Sequence, residues 1–130
     1  MEPPSRSRRL LCFSHLPWGF VRQRPQHLLS RLARDFAVFY VEEPTQAPNG
    51  VADLRIAHDG RVTIVTPLIP AERNLGWGFN HRTNAVIQRL LSCPSCERAS
   101  SRDVVWHYTP MALGAAPAFF NDALVVYDVM

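Results

Sequence analysis

The runs Leu10-Leu11-Cys12-Phe13 and Ala37-Val38-Phe39-Tyr40-Val41, with a loop and a helical pattern between them, decide the fold of this chain. Both runs are short and almost uninterruptedly apolar, which is typical of strands buried on both faces of a parallel sheet. Between them, Pro25 suits the first turn of a helix, because its missing N–H needs no partner there. Apolar residues follow at helical spacing at Leu28, Leu29, Leu32 and Phe36. These segments predict a first strand, a helix over residues 25–35 and a second parallel strand.

The rest of the chain continues the alternation of strands and helices. Residues 54–57 and 62–65 flank an Asp59-Gly60 step and predict a hairpin, with one strand in the main sheet and the other at its edge. Periodic apolar residues predict a second helix over residues 80–92, which stops before Pro94. Residues 104–108 predict a buried strand, Thr109 and Pro110 a short helix through residue 116, and residues 124–127 a last strand. The fold class predicted is α/β, with a doubly wound and mainly parallel sheet.

The two ends of the chain suggest a partial domain. Residues 1–9 are rich in Arg and Pro and are predicted to form a flexible tail, and the apolar run behind them is too short for a signal peptide or a membrane span. The chain stops soon after its last predicted strand, which we expect to be buried, and no helix follows to cover it. Residues 10–130 are therefore predicted to be an incomplete α/β domain.

Charge and cysteine content limit the classes of function. The formal net charge is +3, and all 14 basic residues are Arg. This excess fits anionic ligands or an anionic membrane surface, with Arg6, Arg8 and Arg9 as the contact, but it lacks the clustered stripe expected for binding nucleic acid. Three cysteines without a secretory signal favour a reducing, cytoplasmic setting, and the Cys93-Pro-Ser-Cys96 pair is interpreted as a surface loop.

Ligands of open α/β sheets bind beyond the carboxyl ends of the strands, so the loops after the strands hold the candidate site. The loop after the first strand is the richest in polar groups and leads into a helix N-terminus, which attracts anions. Its candidate residues are His15, Trp18, Gly19, Arg22, Gln23, Arg24 and Gln26. Two interpretations stay open: these residues line a ligand site, or Trp18 and Phe20 plug the sheet edge while the Arg side chains are solvated or paired with Glu42 and Glu43. The loop lacks the G-x-G-x-x-G fingerprint of nicotinamide and flavin enzymes.

Other polar residues have both a structural and a functional interpretation. His15 could be a general acid or base, although a loop histidine is more often structural. His107 is expected to be a core histidine with its hydrogen bonds satisfied, and His27 and His81 to be surface residues. Glu42 and Glu43 are expected to pair with nearby Arg, with Glu43 a weaker candidate for binding sugar hydroxyls. Asp128, after the last strand, could orient a ligand or cap a following helix.

Several segments of the chain, in this order, resemble a bacterial family. The stretch from Phe13-Ser14-His15-Leu16-Pro17-Trp18-Gly19-Phe20 to Arg22-Gln23-Arg24-Pro25-Gln26-His27-Leu28 is similar to the start of family 4-like glycosyltransferases of envelope polysaccharide synthesis. These include teichuronic-acid-type enzymes and relatives associated with galactopyranose mutase. Val38-Phe39-Tyr40-Val41-Glu42-Glu43-Pro44 resembles the second strand of that family. Residues 105–113 and 125–130 also match, so that the resemblance covers nearly the whole chain from Leu10 onward.

The resemblance implies an incomplete N-terminal half of a two-domain (GT-B) fold, in which a Rossmann-like domain binds the acceptor and an absent C-terminal domain binds the donor. His15, Trp18, Arg22, Gln23, Arg24 and Gln26 would then line the acceptor wall of the cleft, with Tyr108, Thr109 and Pro110 on a neighbouring loop. The implied reaction transfers a hexose from a nucleotide diphosphate sugar to a saccharide or lipid-linked acceptor, without a metal or a separate cofactor. The chain alone is expected to be inactive.

Two rival classes remain. One is a non-catalytic, flavodoxin-like α/β module that binds a partner protein. A receiver-like version is disfavoured because His15 stands where the acidic Mg²⁺ ligands of a receiver should be. The other is half of a nucleotide-sugar epimerase or dehydrogenase, which the missing glycine fingerprint disfavours.

Overall fold

One mainly parallel sheet organises the chain. The computed structural model describes residues 8–19, 24–71, 75–92 and 98–128. Its strands are β1 (Arg8–Phe13), β2 (Phe36–Val41), β3 (Thr45–Gln46), β4 (Asp53–Asp59), β5 (Val62–Ile69), β6 (Val104–His107) and β7 (Leu124–Tyr127), and its α-helices are α1 (Arg24–Leu32) and α2 (His81–Leu91). The strand order is β3-β5-β2-β1-β6-β7, and β4 pairs with β5 in the only antiparallel pair of the described sheet. The predicted α/β class with a mainly parallel sheet is confirmed.

The two central strands present alternate side chains to the two layers of the core. Leu10 and Cys12 of β1 belong to one buried cluster, which includes Leu29 of α1. Leu11 and Phe13 belong to a second cluster, which includes Ile87 of α2. Successive side chains of a strand point to opposite faces, so an unbroken apolar run supplies both layers at once.

α2 has its predicted extent, whereas α1 is shorter than predicted. α2 begins with a capping box, in which the Asn80 side chain accepts hydrogen bonds from the N–H groups of Arg82 and Thr83, while the Thr83 hydroxyl accepts one from the Asn80 N–H. Its predicted extent is confirmed. α1 ends at Leu32 rather than at residue 35, because the following N–H of Arg34 bonds the carbonyl of Arg31 in a tighter turn.

The predicted hairpin is confirmed and joins the sheet through its second strand. β4 and β5 pair from Asp53↔Leu68 to Asp59↔Val62, and Gly60 in the turn has φ of 60°. Glycine adopts this left-handed conformation without steric cost. β5 pairs in parallel with β2, which leaves β4 outside the parallel core. β3, which lies alongside the end of β5, was not predicted.

The first strand starts earlier than expected and contains two residues assigned to the flexible tail. Arg8 and Arg9 pair with Phe36 and Ala37 of β2. The Arg9 guanidinium donates to Asp103 at 3.2 Å, and its backbone N–H donates to the other carboxylate oxygen at 2.8 Å. Burial alone would raise the pKa of Asp103, but these bonds and the Ser100 N–H outweigh it, so the pKa lies below its usual value. The charge of Arg9 is therefore compensated inside the fold.

The segment after β6 is less helical than predicted. A 3-10 turn at Pro110–Ala112 replaces the helix expected through residue 116, and a second 3-10 turn at Ala118–Phe120 precedes β7. Thr109 caps the first turn as predicted, since its hydroxyl accepts from the Met111 N–H at 3.2 Å. β7 was expected to be buried, yet Leu124, Val125 and Tyr127 are 56, 47 and 60% exposed. Among the described residues, no helix is long and apolar enough to cross a membrane.

Candidate functional site

The order of the strands reverses between β1 and β6. From β1 the chain moves outward through β2 to β5, and it then crosses back to place β6 and β7 on the other side of β1. The space between the loops that leave β1 and β6, at the carboxyl edge of the sheet, is the candidate crevice, because α/β folds bind their ligands where the strand order reverses. The N–H of Tyr108 donates to the Phe13 carbonyl at 2.9 Å, which holds the two strand ends together at the base of this crevice.

The loop after β1 is held by a chain of hydrogen bonds to β2 and β5. The buried Ser14 hydroxyl accepts from the Leu16 N–H at 3.1 Å, and the Leu16 carbonyl accepts from the Tyr40 hydroxyl at 2.6 Å. Burial raises the pKa of Tyr40 well above its usual value, so this hydroxyl remains a donor. These bonds hold residues 14–16 of the loop against β2.

Glu42 anchors the same loop. One carboxylate oxygen accepts from the Trp18 N–H at 2.6 Å, and the other accepts from the Thr66 hydroxyl at 2.7 Å. The expected pairing of Glu42 with Arg is not what the described contacts contain; this carboxylate ties the β1 loop to the end of β5. Glu43 is exposed, and its carboxylate lies against Gly78.

Trp18 was predicted to line the acceptor wall, but its side chain is part of the core. It is 5% exposed and packs edge-on against Tyr40, with ring centroids 5.0 Å apart. Its indole N–H donates to Asp59 at 2.8 Å, across the α1 side of the sheet. Trp18 therefore packs inside the fold, as the alternative interpretation expected. Its side chain supports the β1 loop.

The other candidates of the first loop divide into three groups. His15 and Gly19 are exposed at the carboxyl edge, and Gln26 is partly buried in α1. Arg24 is the first residue of α1. Arg22 and Gln23 lie outside the described residues. Among the described residues of this loop, His15, Pro17 and Gly19 are exposed.

The candidates from the β6 and β7 loops lie on the other side of the crevice. Tyr108 is 4% exposed and tilts against Trp106, and Thr109 is 7% exposed and caps the 3-10 turn. Asp128 is partly buried, and its N–H donates to the His107 carbonyl at 3.0 Å. Burial and the nearby Asp128 charge both raise the pKa of Cys12, which keeps this buried thiol protonated.

His107 stands in a stack of three rings at the base of the crevice. Its imidazole lies between Phe13 and Tyr127, with both centroid distances 5.4 Å. The expected burial is confirmed, but the expected satisfaction of its hydrogen bonds is not complete, since Nδ1 is buried without a partner among the described residues. Burial lowers the pKa of His107 and favours the neutral ring. His27 and His81 are exposed, as predicted.

The larger hollows among the described residues lie away from the crevice. One of about 560 Å³ lies at the amino ends of the strands, between Arg34 and Arg61, where α/β folds seldom bind ligands. The other, of about 470 Å³, lies at the carboxyl edge beside Trp77, which is 93% exposed. Trp77 was not among the residues singled out from the sequence. Its position between two glycines was the available signal.

No metal site is formed by the described side chains, since no three His, Cys, Asp or Glu residues among them come together. Comparisons of the chain with models of known protein families, with curated proteins and with solved structures found no match. Among the described residues at this edge, His15 has an exposed side chain and Asp128 is partly buried, while the N–H groups of Ser14, Leu16 and Trp18 are bonded within the fold.

Proposed function

We propose that the chain is the acceptor-side unit of a two-domain (GT-B) glycosyltransferase. The complete enzyme would transfer a hexose from a nucleotide diphosphate sugar to a saccharide or lipid-linked acceptor of the cell envelope. The observation that carries the proposal is the reversal of strand order between β1 and β6. The segments that resemble this family include the carboxyl ends of β1, β2, β6 and β7, and parallel strands end at the same edge of a sheet.

In this proposal the described residues orient the acceptor. The acceptor hydroxyl attacks the anomeric carbon, the nucleotide diphosphate leaves, and the hydroxyl proton goes to a base. His15 is the candidate for that base, because it is the exposed imidazole of the β1 loop. The groups that grip the donor diphosphate would belong to a second domain, so the chain alone should show no turnover.

Equilibrium binding tests the proposal. The protein should bind a neutral acceptor saccharide, observed as saturable NMR shifts at His15 and Thr109, and should bind uridine diphosphate hexoses weakly. His15→Ala should reduce these shifts, whereas His81→Ala, which removes an exposed histidine of α2, should not. Micromolar binding of a nicotinamide nucleotide at the same loops would favour the dehydrogenase alternative instead. Turnover by the chain alone would refute the proposal that the donor is bound by a second domain.

Association with an anionic membrane is part of the same proposal. Since Arg9 is paired with Asp103 and Arg8 lies over the ring of Phe36, the contact would depend on Arg6, outside the described residues, and on other exposed Arg. Arg6→Glu should weaken cosedimentation with phosphatidylglycerol liposomes. Unchanged cosedimentation would remove the membrane from the proposal.

A second candidate function is a protein-binding α/β module, which the exposed strand β7 favours. Leu124 and Val125, on opposite faces of β7, are about half exposed. A Val125→Glu change should abolish binding of a partner at this edge while leaving saccharide shifts at His15 intact. Saccharide binding in the crevice is predicted by the glycosyltransferase proposal and not by the protein-binding alternative.

A further inference from the structure

Trp77 projects from the carboxyl edge of the sheet, in the segment between β5 and α2. It is 93% exposed, whereas Trp18 is buried and Trp106 is partly buried. Full exposure of an indole leaves a large apolar ring face in water, where it can stack against a ligand.

The backbone on both sides of Trp77 fixes this exposed position. Gly76 and Gly78 have φ of 88° and 58°, a conformation that other residues adopt at a cost. A Cβ at Gly76 would meet the Asn80 side chain at 2.8 Å, and a Cβ at Gly78 would meet the Glu43 carboxylate at 2.6 Å. Asn80 also donates to the carbonyls of Leu75 and Trp77 at 3.0 and 3.3 Å. The loop is thus anchored to the cap of α2 and holds the indole outward.

The hollow beside Trp77 has about 470 Å³, within the range of small-ligand sites. Its lining combines apolar side chains, including Ile69 and Leu75, with the polar side chains of Thr45 and Gln46. Within the described part of the chain, neither Thr45 nor Gln46 makes a side-chain hydrogen bond. The Glu43 carboxylate lies next to this lining, against Gly78.

Among the residues that the structure describes, the charge at the rim of the hollow disfavours an anionic ligand. No described lining residue is basic, and Glu43 adds a negative charge at the rim. The N-terminus of α2 is not available to a phosphate either, because Asn80 already accepts from its free N–H groups. The same negative charge opposes insertion of the Trp77 loop into an anionic membrane.

We propose that Trp77, Thr45, Gln46 and Glu43 form a binding site for a neutral saccharide, distinct from the crevice between β1 and β6. The indole would stack on the C–H face of a pyranose ring, since the negative face of an aromatic ring attracts weakly positive C–H groups. The hydroxyl, amide and carboxylate would bond the sugar hydroxyls at the ring edge. This site requires no transfer reaction and stands apart from the proposal for the crevice.

NMR of the 15N-labelled protein tests the site, because the sequence contains only three tryptophans. Trp77→Phe identifies the indole N–H signal of Trp77. Lactose, maltose and cellobiose are the probes. At least one should shift this signal and the Gln46 side-chain signal saturably, while the signals of Trp18 and Trp106 stay in place. Trp77→Ala should weaken binding at least tenfold, and Gln46→Ala should weaken it less.

Ile56→Ala is the matched control, because it removes another exposed apolar side chain, from β4, and should bind as the unchanged protein does. Absence of saturable shifts at Trp77 with all three probes would overturn the site, as would equal binding by Trp77→Ala. Broadening of the Trp77 signal by phosphatidylglycerol vesicles, without a saccharide shift, would overturn it in favour of a membrane contact. Shifts at Trp77 with none at His15 would support this site and would contradict only the saccharide site proposed in the crevice.

Discussion

The anchoring of the β1 loop by Glu42 gives the sharpest test of the described site. Glu42→Ala removes the acceptor of two donors, the Trp18 N–H at 2.6 Å and the Thr66 hydroxyl at 2.7 Å. Both donor residues are less than 10% exposed, at 5% and 7%. An unpaired buried donor costs about 1–3 kcal/mol. Because Glu42 itself is only half-buried, we expect a loss of about 2–3 kcal/mol in the free energy of unfolding.

Glu42→Gln separates hydrogen-bond geometry from charge. The amide oxygen can still accept from the Trp18 N–H, and the Thr66 hydroxyl can turn to accept from the amide N–H, so the expected loss is about 1 kcal/mol or less. Thr66→Val should cost about 1 kcal/mol, and less when Glu42 is already Ala, because the two side chains share one interaction.

Urea unfolding measures these free energies, and hydrogen exchange of residues 14–19 measures whether the loop is released. Glu43→Ala is the matched control, since it removes the adjacent carboxylate, for which no hydrogen bond with a described residue is recorded. An equal loss of unfolding free energy in Glu42→Gln and Glu42→Ala would contradict the anchoring role of Glu42. So would a Glu42→Ala variant with unchanged stability and unchanged hydrogen exchange of residues 14–19.

Two further predictions concern pH. Asp103→Ala should cost about 3 kcal/mol by leaving Arg9 without its partner. Since the folded pKa of Asp103 is lowered, its contribution is complete above the unfolded pKa of about 3.9 and is lost as pH falls through the folded value. Urea midpoints across pH should therefore have a shallower acid slope in Asp103→Asn, and an unchanged slope would contradict this. His107 also has a lowered folded pKa, so the unfolded chain takes up its proton first and stability falls as pH drops below about 6.5. His107→Phe keeps the ring stack and should gain stability relative to the unchanged protein as the solution is acidified; a constant difference across pH would refute this.

The fold was predictable where a single local sequence pattern indicates both that a segment is buried and that it pairs as a strand. β1 and β2 are unbroken apolar runs, and their alternate residues fill the two core layers. The hairpin followed from Asp59-Gly60, and α2 from apolar periodicity. β3 has only two residues, too few to show any periodicity. The early start of β1 depends on Asp103, 94 positions away from Arg9, a contact that no local pattern contains.

The sequence predicted that the loops after β1 and β6 leave the same edge of the sheet, but it did not predict the orientation of their side chains. The rule that ligands bind at the carboxyl edge selected the loops after β1 and β6, and the strand order brings these loops to one crevice. A loop sequence does not specify which way an aromatic residue turns, so Trp18 was assigned to the wall although it packs on Tyr40. The bond from Trp18 to Asp59, and that from Thr66 to Glu42, join elements whose proximity only the assembled sheet defines.

The central claim is that the crevice between β1 and β6 holds a saccharide acceptor. A neutral saccharide carrying a photoreactive diazirine, followed by peptide mass spectrometry, tests it directly by recording which residues the bound sugar touches. Labelling should fall on residues 14–19 and 109–113, and excess unlabelled saccharide should suppress it. Labelling confined to the hollow near Arg34 and Arg61, or to the Trp77 loop, would contradict the claim.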